Sequence, residues 1–453
     1  MSGGPFEDAA AERVYAELLE RVGEANPRPR IDPVRRLAEL AGSPQLSYPV
    51  IQVAGTNGKT STSRAIASLL QAHGLRTGLF TSPHLVDFTE RFQLDGEPVD
   101  SAVLGSAWDE LKLPLEVVDA ELEAAGHGRI TFFEALAVLA FAVFADAPVE
   151  VAVIEVGMGG EWDATNIVDA QVAVFTPIGL DHTAILGHDI ATIARTKAGI
   201  IKDGATVVTA EQDADALAEI ADAAARHGAE VRVQGRDFAL LEDRLAVGGR
   251  QIEMIGLSRQ SYDPIFVPLF GRHQSENAVL AVAAVEAFFG ADRPLPGEVL
   301  DSGFGSLTSP GRLQLIGTDP IVYVDAAHNP HGAAALVDAV TESFSFAELA
   351  VVVGVLADKD AAGLLAALAP IAHRVTVTPV DSPRSTPSSD LRALAEEEIP
   401  ATPVEVAESL PEALDEARAW AARAEGRAVL VVGSVLLAGE AIAFARAEGW
   451  SAA

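Results

Sequence analysis

Val50-Ile-Gln-Val-Ala-Gly55-Thr-Asn-Gly58-Lys59-Thr60-Ser61 reads as an apolar strand, a glycine-bearing loop and the entry to an amphipathic helix predicted over residues 63–73. A phosphate-binding loop requires that order. Backbone N–H groups at the helix start converge on an anion, Gly55 and Gly58 let the chain approach it closely, and Lys59 adds a compact positive charge. A hydroxyl of Thr60 or Ser61 can face a metal ion. Asn57, Gly58, Lys59, Thr60 and Ser61 are therefore candidate nucleotide-binding residues, and Lys59 is also a catalytic candidate. The common pattern has glycine five positions before Gly58, where this chain carries Val53. A ligand-free glycine turn is the plainer reading, but a lysine and hydroxyl pair at a helix start has little structural purpose. Alone, the loop implies binding of a nucleoside triphosphate and nothing narrower.

Outward from this loop, short β-branched runs alternate with Ala/Leu-rich segments. Val50–Ala54, Thr77–Thr81, Val149–Val156, Gln171–Thr176 and Thr206–Ala210 are strand candidates, so a largely parallel sheet wrapped by helices is expected. Beyond Arg232 the pieces shorten: Phe238–Leu241, Leu245–Val247 and Ile265–Leu269 predict a small antiparallel element, followed by a helix over Ser275–Phe289. The stretch holding Pro294, Pro296, Gly297, Gly303, Gly305, Pro310 and Gly311 reads as a linker. The alternation then restarts with Ile321–Val324, Ala350–Val355, Val375–Pro379, Val404–Val406 and Val429–Val432. The expected fold class is α/β: a phosphate-loop domain with a mainly parallel sheet over 1–306, and a smaller Rossmann-like domain over 307–453.

Asp and Glu number 65 against 32 Lys and Arg, a net charge of −33 that repels nucleic-acid backbones and anionic lipid surfaces. With no cysteine there is no disulfide framework, thiolate metal site or cysteine nucleophile. The N-terminal residues Met1 to Asp8 lack a basic then apolar leader pattern, and the next segment reads as a helix with Val14, Leu18, Leu19 and Val22 on one face. The apolar run Phe132–Ala145 carries Glu134 and is too short to span a bilayer, which needs about 20 residues. It reads as a buried helix. A cytoplasmic, monomeric enzyme with neither nucleic-acid nor membrane partners is expected.

Gly55-Thr-Asn-Gly-Lys-Thr-Ser61 followed by Thr81-Ser-Pro-His-Leu85 resembles the ATP-dependent amide-forming ligases related to the muramyl ligases, and in particular their folylpolyglutamate synthase/dihydrofolate synthase branch. The resemblance continues in order through Glu90-Arg91, Thr131-Phe-Phe-Glu134, Glu155-Val-Gly-Met-Gly-Gly160, Asp163-Ala-Thr-Asn166, His182 with Leu186-Gly187, and Lys197-Ala-Gly-Ile200. It then includes Gly271-Arg-His-Gln274 with Asn277, Pro310-Gly-Arg312, Asp325-Ala-Ala-His-Asn-Pro330 and Asp358-Lys-Asp360. Muramyl ligases proper carry a further N-terminal domain, whereas about 50 residues precede the loop strand here, which favours the folate branch.

The resemblance implies an acid–amino-acid ligase that uses ATP and one or two Mg2+ ions. It would join L-glutamate to dihydropteroate, and to the γ-carboxylate of reduced folates, through an acyl phosphate. It implies Ser82, Glu155 and His182 as metal ligands, with His182 also catalytic. Lys197, as a carbamylated lysine, would be a further catalytic and metal-site residue. Asn277, Arg312, Asp325 and His328 would complete the nucleotide contacts. Thr131, Phe132, Phe133, Glu134, Trp162, Asp163 and Ala164 would hold the pterin substrate, while the C-terminal domain would bind glutamate. On local sequence alone Ser82 could be a turn residue, His182 could satisfy a loop carbonyl, and Asp325 could cap a helix. Phe132 and Phe133 could be core, and Lys197 a surface lysine near a helix end. Alternatives are a folylpolyglutamate synthase alone, another amino-acid ligase of the same family, or a regulatory ATPase that joins nothing.

Overall fold

The computed structural model describes residues 8–23 and 28–450. Residues 1–7, which carry most of the leader reading, lie outside them. Among the described residues no helix is long and apolar enough to cross a membrane. The chain divides into two compact units. The first is Met1–Glu242, Glu253–Ile265 and Glu276–Leu307, and the second is Asp243–Ile252, Phe266–Ser275 and Thr308–Ala453.

In the first unit, β1 (Val50–Ala54), β2 (Thr77–Phe80), β3 (Phe92–Leu94), β4 (Glu97–Pro98), β5 (Val151–Glu155), β6 (Ala170–Phe175), β7 (Thr206–Thr209) and β8 (Glu230–Val233) form one sheet, in the order β4-β3-β2-β5-β1-β6-β7-β8. All neighbours from β2 to β8 pair in parallel, and β3 and β4 add an antiparallel edge. Every residue of β1 and β5 is buried, which explains why both strands are apolar apart from Gln52 and the terminal Glu155: both faces of a central parallel strand are covered by helices. On one face the helix Phe132–Asp146 packs with Val14, Leu18 and Trp108; on the other, Ile193, Ala194, Ile220 and Ala223 pack on Phe175 and Val207. The N-terminal helix spans Asp8–Leu19 and buries Val14 and Leu18, but Leu19 is exposed. It falls a further 100° around the helix from Leu18, off the buried stripe.

Residues 239–267 form a three-stranded sheet, β9 (Ala239–Ala246), β10 (Gly249–Ile255) and β11 (Ser261–Val267), in the order β11-β10-β9. One strand thus replaces the two pieces expected before Val247, because its charged centre, Glu242-Asp-Arg244, hides the continuity of the run. The next helix begins at Arg272 rather than Ser275. Its Glu286 is fully buried and accepts hydrogen bonds from the Leu257 N–H (2.6 Å) and the Ser258 and Tyr262 hydroxyls (2.7 Å each). The predicted linker contains a helix, Gly297–Gly305, whose Val299, Leu300 and Phe304 are buried. A Cβ added at Gly303 would lie 2.8 Å from a Leu69 methyl, so glycine serves here as a close-packing residue, not a hinge.

The second unit carries β12 (Gln314–Thr318), β13 (Ile321–Val324), β14 (Glu348–Val353), β15 (Arg374–Val377), β16 (Val404–Val406) and β17 (Arg427–Val432), ordered β12-β13-β17-β14-β15-β16. All pairs are parallel except the β12–β13 edge. Its core gathers Val351, Val353, Leu364, Leu365, Val377 and Leu391. The mixed α/β class expected from the alternation is the class observed.

Candidate functional site

β1 ends at Ala54 and the loop turns directly into the helix Lys59–Ala72, four residues earlier than the apolar period suggested. Gly58 stands at the helix entry with φ 87°, a conformation that costs an ordinary residue about 1–2 kcal/mol. A Cβ there would also come within 2.6 Å of Asn277 Oδ1, which places Asn277 over the loop. Lys59 Nζ donates to the carbonyls of Gly55 (3.2 Å) and Thr56 (3.0 Å). Ser61 is buried, and Asn57 lies on the bend before the helix.

β5 ends at Glu155 beside β1, so the parallel register brings its carboxylate to the same edge of the sheet as the loop. The Thr60 hydroxyl donates to both Glu155 oxygens, at 2.9 and 3.1 Å, and the Ser82 N–H donates to Oε2 at 3.3 Å. The Thr60 hydroxyl and the buried Glu155 thus gather hard oxygen atoms, with the Ser82 backbone beside them. Among the described residues no three His, Asp or Glu side chains are grouped so as to hold a metal ion by themselves. A donor set of one carboxylate and hydroxyls suits Mg2+, which keeps several waters and takes the rest of its ligands from substrate phosphates. His182 follows β6 by way of residues 176–181 and adopts φ 50°; its N–H donates to Asp181 Oδ1 (2.8 Å), and its imidazole is one-third exposed.

Lys197 is not a surface lysine. It is buried near the end of the helix Ile190–Ala198, and its Nζ donates to the Gly55 carbonyl at 2.7 Å. Burial, followed by the charge of Lys59, lowers its pKa to about 7, against the opposing pull of Asp181 and Asp163. A substantial fraction of uncharged, nucleophilic amine is therefore present at neutral pH.

The residues expected around a pterin divide between packing and display. The Thr131 hydroxyl accepts from the Glu134 N–H, and Glu134 accepts from the Thr131 N–H, a reciprocal cap that starts the helix Phe132–Asp146. Arg30 donates to both Glu134 oxygens, at 2.7 and 2.8 Å. Phe132 is core. Phe133 is only partly buried and packs near Phe80; a Cβ at Gly157 would meet Phe133 at 2.4 Å and Asp163 Oδ2 at 3.1 Å. Burial raises the pKa of Asp163, against hydrogen bonds from the Thr165 hydroxyl (2.5 Å) and the N–H groups of Thr165 (2.9 Å) and Met158 (2.8 Å). Trp162 is exposed, while Ala164 is buried at the next turn.

In the second unit Arg312 donates to the Gly311 carbonyl (3.1 Å), and Asp325 accepts from the N–H groups of Leu313 and Ala327, at 2.8 Å each. Asp325 does not cap the following helix. Asn329 does, accepting from the Gly332 N–H (2.8 Å). Burial pushes the Asp325 carboxyl upward, opposed chiefly by Arg312, and His328 Nδ1 lies 3.0 Å from the Ala326 carbonyl. Sequence reasoning missed Arg30, Gln52, Thr56, Thr165 and Gln212. Arg30 reaches Glu134, Gln52 reaches Thr165, Thr56 reaches Gly179 and Gln212 reaches Ile178, all distant in the chain, so although Gln52, Thr56 and Thr165 fall within motif stretches their partners do not show there.

A phosphate loop at the carboxyl edge of a parallel sheet, with a carboxylate beside its hydroxyl, defines a nucleoside-triphosphate-using enzyme, here with a second α/β unit in the same chain. Residues 53–285 match the Mur ligase middle domain, and residues 311–435 match the Mur ligase glutamate ligase domain. The chain is 44% identical over 426 residues to a dihydrofolate synthase/folylpolyglutamate synthase of Mycobacterium tuberculosis, covering 91% of this chain and 87% of the relative. A Bacillus subtilis protein of the same name is 34% identical, covering 80% and 84%. A solved M. tuberculosis folylpolyglutamate synthase complexed with ADP and AMPPCP superposes with a TM-score of 0.91 at 41% identity, over 97% of this chain and 98% of that one. E. coli FolC in complex with DHPP and ADP superposes with a TM-score of 0.82 at 30% identity, over 97% and 98%. The chain belongs to the Mur ligase family, within its dihydrofolate synthase/folylpolyglutamate synthase group.

Proposed function

We propose that this ligase adds L-glutamate to dihydropteroate and to the γ-carboxylate of reduced folates, with ATP as the activating reagent. The observation that carries the reading is the Thr60–Glu155 pair beside the phosphate loop, in a chain so similar to enzymes named for both activities. A carboxylate oxygen of the pterin substrate attacks the γ-phosphorus of ATP and expels ADP, leaving an acyl phosphate. The amine of glutamate then adds to the acyl carbon, the amine proton is lost, and phosphate departs from the tetrahedral intermediate. Such transfers depend on positioning and charge neutralisation.

The helix start at Gly58–Ser61 and Lys59 hold the phosphates, supported by Asn57 and Asn277, while Arg312, Asp325 and His328 supply the remaining nucleotide contacts. Mg2+ would be held by Ser82, Glu155 and His182, and would neutralise charge between the two anions. Lys197 as a carbamate would add an anionic ligand; its lowered pKa supports uptake of carbon dioxide. Thr131, Phe132, Phe133, Glu134, Trp162, Asp163 and Ala164 form or support the pterin pocket, and the domain from 307 onward binds glutamate. We read the protein as a cytoplasmic monomer without nucleic-acid or membrane partners. Incubation with ATP, glutamate and either acceptor tests the activity. ADP release should require dihydropteroate or a reduced folate, each giving a product one glutamate longer. Acceptor-independent ATP hydrolysis without a new amide would establish a regulatory ATPase instead.

A further inference from the structure

β1, β6 and β7 are neighbours in the sheet, so the segments leaving their carboxyl ends emerge side by side: the phosphate loop, residues 176–182, and residues 210–213. The first two are joined through one side chain. The Thr56 hydroxyl donates to the Gly179 carbonyl and accepts from the Gly179 N–H, both at 3.0 Å, while the Thr56 N–H donates to the Pro177 carbonyl at 3.0 Å. The third segment grips the second through Gln212. Its Oε1 accepts from the Ile178 N–H (3.0 Å), and its Nε2 donates to the Thr176 carbonyl (3.0 Å) and the Thr209 hydroxyl (3.1 Å). Segment 176–179 is thereby held from both sides, three residues before His182 with its left-handed backbone.

We propose that Thr56 and Gln212 are positioning residues that together fix segment 176–182 against the phosphate loop and so set the place of His182 relative to the bound triphosphate. The Thr56 side chain is turned to Gly179, so its contribution is to geometry. Within residues 177–181, Pro177 has no N–H to donate and Gly179 no side chain, and the bonds from Thr56 and Gln212 give this stretch partners on both sides. The inference rests on the role given to His182 under the proposed function.

The test compares Thr56→Val, Thr56→Ser, Gln212→Leu and His182→Ala in the full chain, with turnover expressed per ADP-binding site so that a smaller folded fraction does not count. Valine keeps the shape of threonine and removes both hydroxyl bonds. Thr56→Val and Gln212→Leu should each lose about 30-fold in kcat, the scale of a sub-ångström to 1 Å misplacement. The Kd for ADP should stay within about threefold, and Thr56→Ser should restore most turnover. The double variant should be little worse than the weaker single, because both act through one segment. If Thr56→Val does not fold, Gln212→Leu and Gln212→Glu carry the same comparison. Wild-type turnover in both Thr56→Val and Gln212→Leu, or parallel loss of ADP affinity and kcat, overturns the inference. Full activity in His182→Ala instead removes the role assigned to His182, and with it the reason for fixing segment 176–182.

Discussion

Lys197 Nζ and the Gly55 carbonyl, 142 positions apart in the chain, meet at 2.7 Å. The bond joins the end of the helix Ile190–Ala198 to the first residue of the phosphate loop, and it puts a buried amine next to the charge of Lys59. An ammonium here is desolvated and repelled; a neutral amine keeps the same donor without either cost.

Stability should therefore follow the Lys197 proton. Its folded pKa of about 7 lies below the ordinary lysine value of 10.5, so between those limits the unfolded chain binds more protons, and stability rises with pH. The contribution is fully present above the unfolded value and is lost as pH falls through about 7. In carbon-dioxide-free buffer, the Tm of wild type minus that of Lys197→Met should increase from pH 6.5 to pH 10. A flat difference would show that Lys197 titrates as an ordinary surface lysine.

Lys59→Ala should lower kcat by about 100-fold or more, because it removes a preorganised positive charge from the transferring phosphate. Its Tm should stay within a few degrees of wild type, since the bonds of Lys59 Nζ to the Gly55 and Thr56 carbonyls are local to the loop. Thermal unfolding and ligation assays on one preparation separate the two effects.

Arg312→Lys should lose most ligation despite unchanged charge. The guanidinium presents a planar fork that can hold two phosphate oxygens, and an ammonium cannot reproduce it. Retention of near-full kcat would leave Arg312 a local role at Gly311, whose carbonyl it already engages.

Glu286→Leu should destabilise the protein by about 3 kcal/mol or more, since it strands the buried Leu257 N–H and Tyr262 hydroxyl and removes the acceptor of the half-buried Ser258 hydroxyl. Chemical denaturation measures the loss. The nucleotide affinity of the folded fraction should be unchanged.

The sequence displays what depends on local pattern. Val50–Ala54 announces a doubly covered strand by its own texture, and Gly58-Lys59-Thr60 announces the anion site because helix entry and chemistry share adjacent positions. It conceals what depends on distant partners. The helix Gly297–Gly305 carries three glycines and follows Pro296, so it reads as a linker, yet it buries Val299, Leu300 and Phe304 and sets Gly303 against Leu69. Nothing around Gln212 reveals that its amide reaches Ile178. The cap on the helix Pro330–Ser343 shows the same limit at short range: Asp325 and Asn329 are both capable residues, and only the backbone path decides that Asn329 takes the role while Asp325 binds Leu313.

The division of the chain bears on how the protein can be taken apart. Passing along the sequence, the backbone changes unit at 242/243, 252/253, 265/266, 275/276 and 307/308. A protease nick or a split-gene boundary at any one of these points leaves a fragment that carries part of the other unit's framework. Cleavage after Leu307 would strand 243–252 and 266–275 on the first fragment, and cleavage after Glu242 would remove the Glu286 cluster from it. Complementation by two separately expressed halves should therefore be poor, and a permuted chain whose new ends lie in the exposed turn at Val247 offers the gentler way to reopen the connectivity.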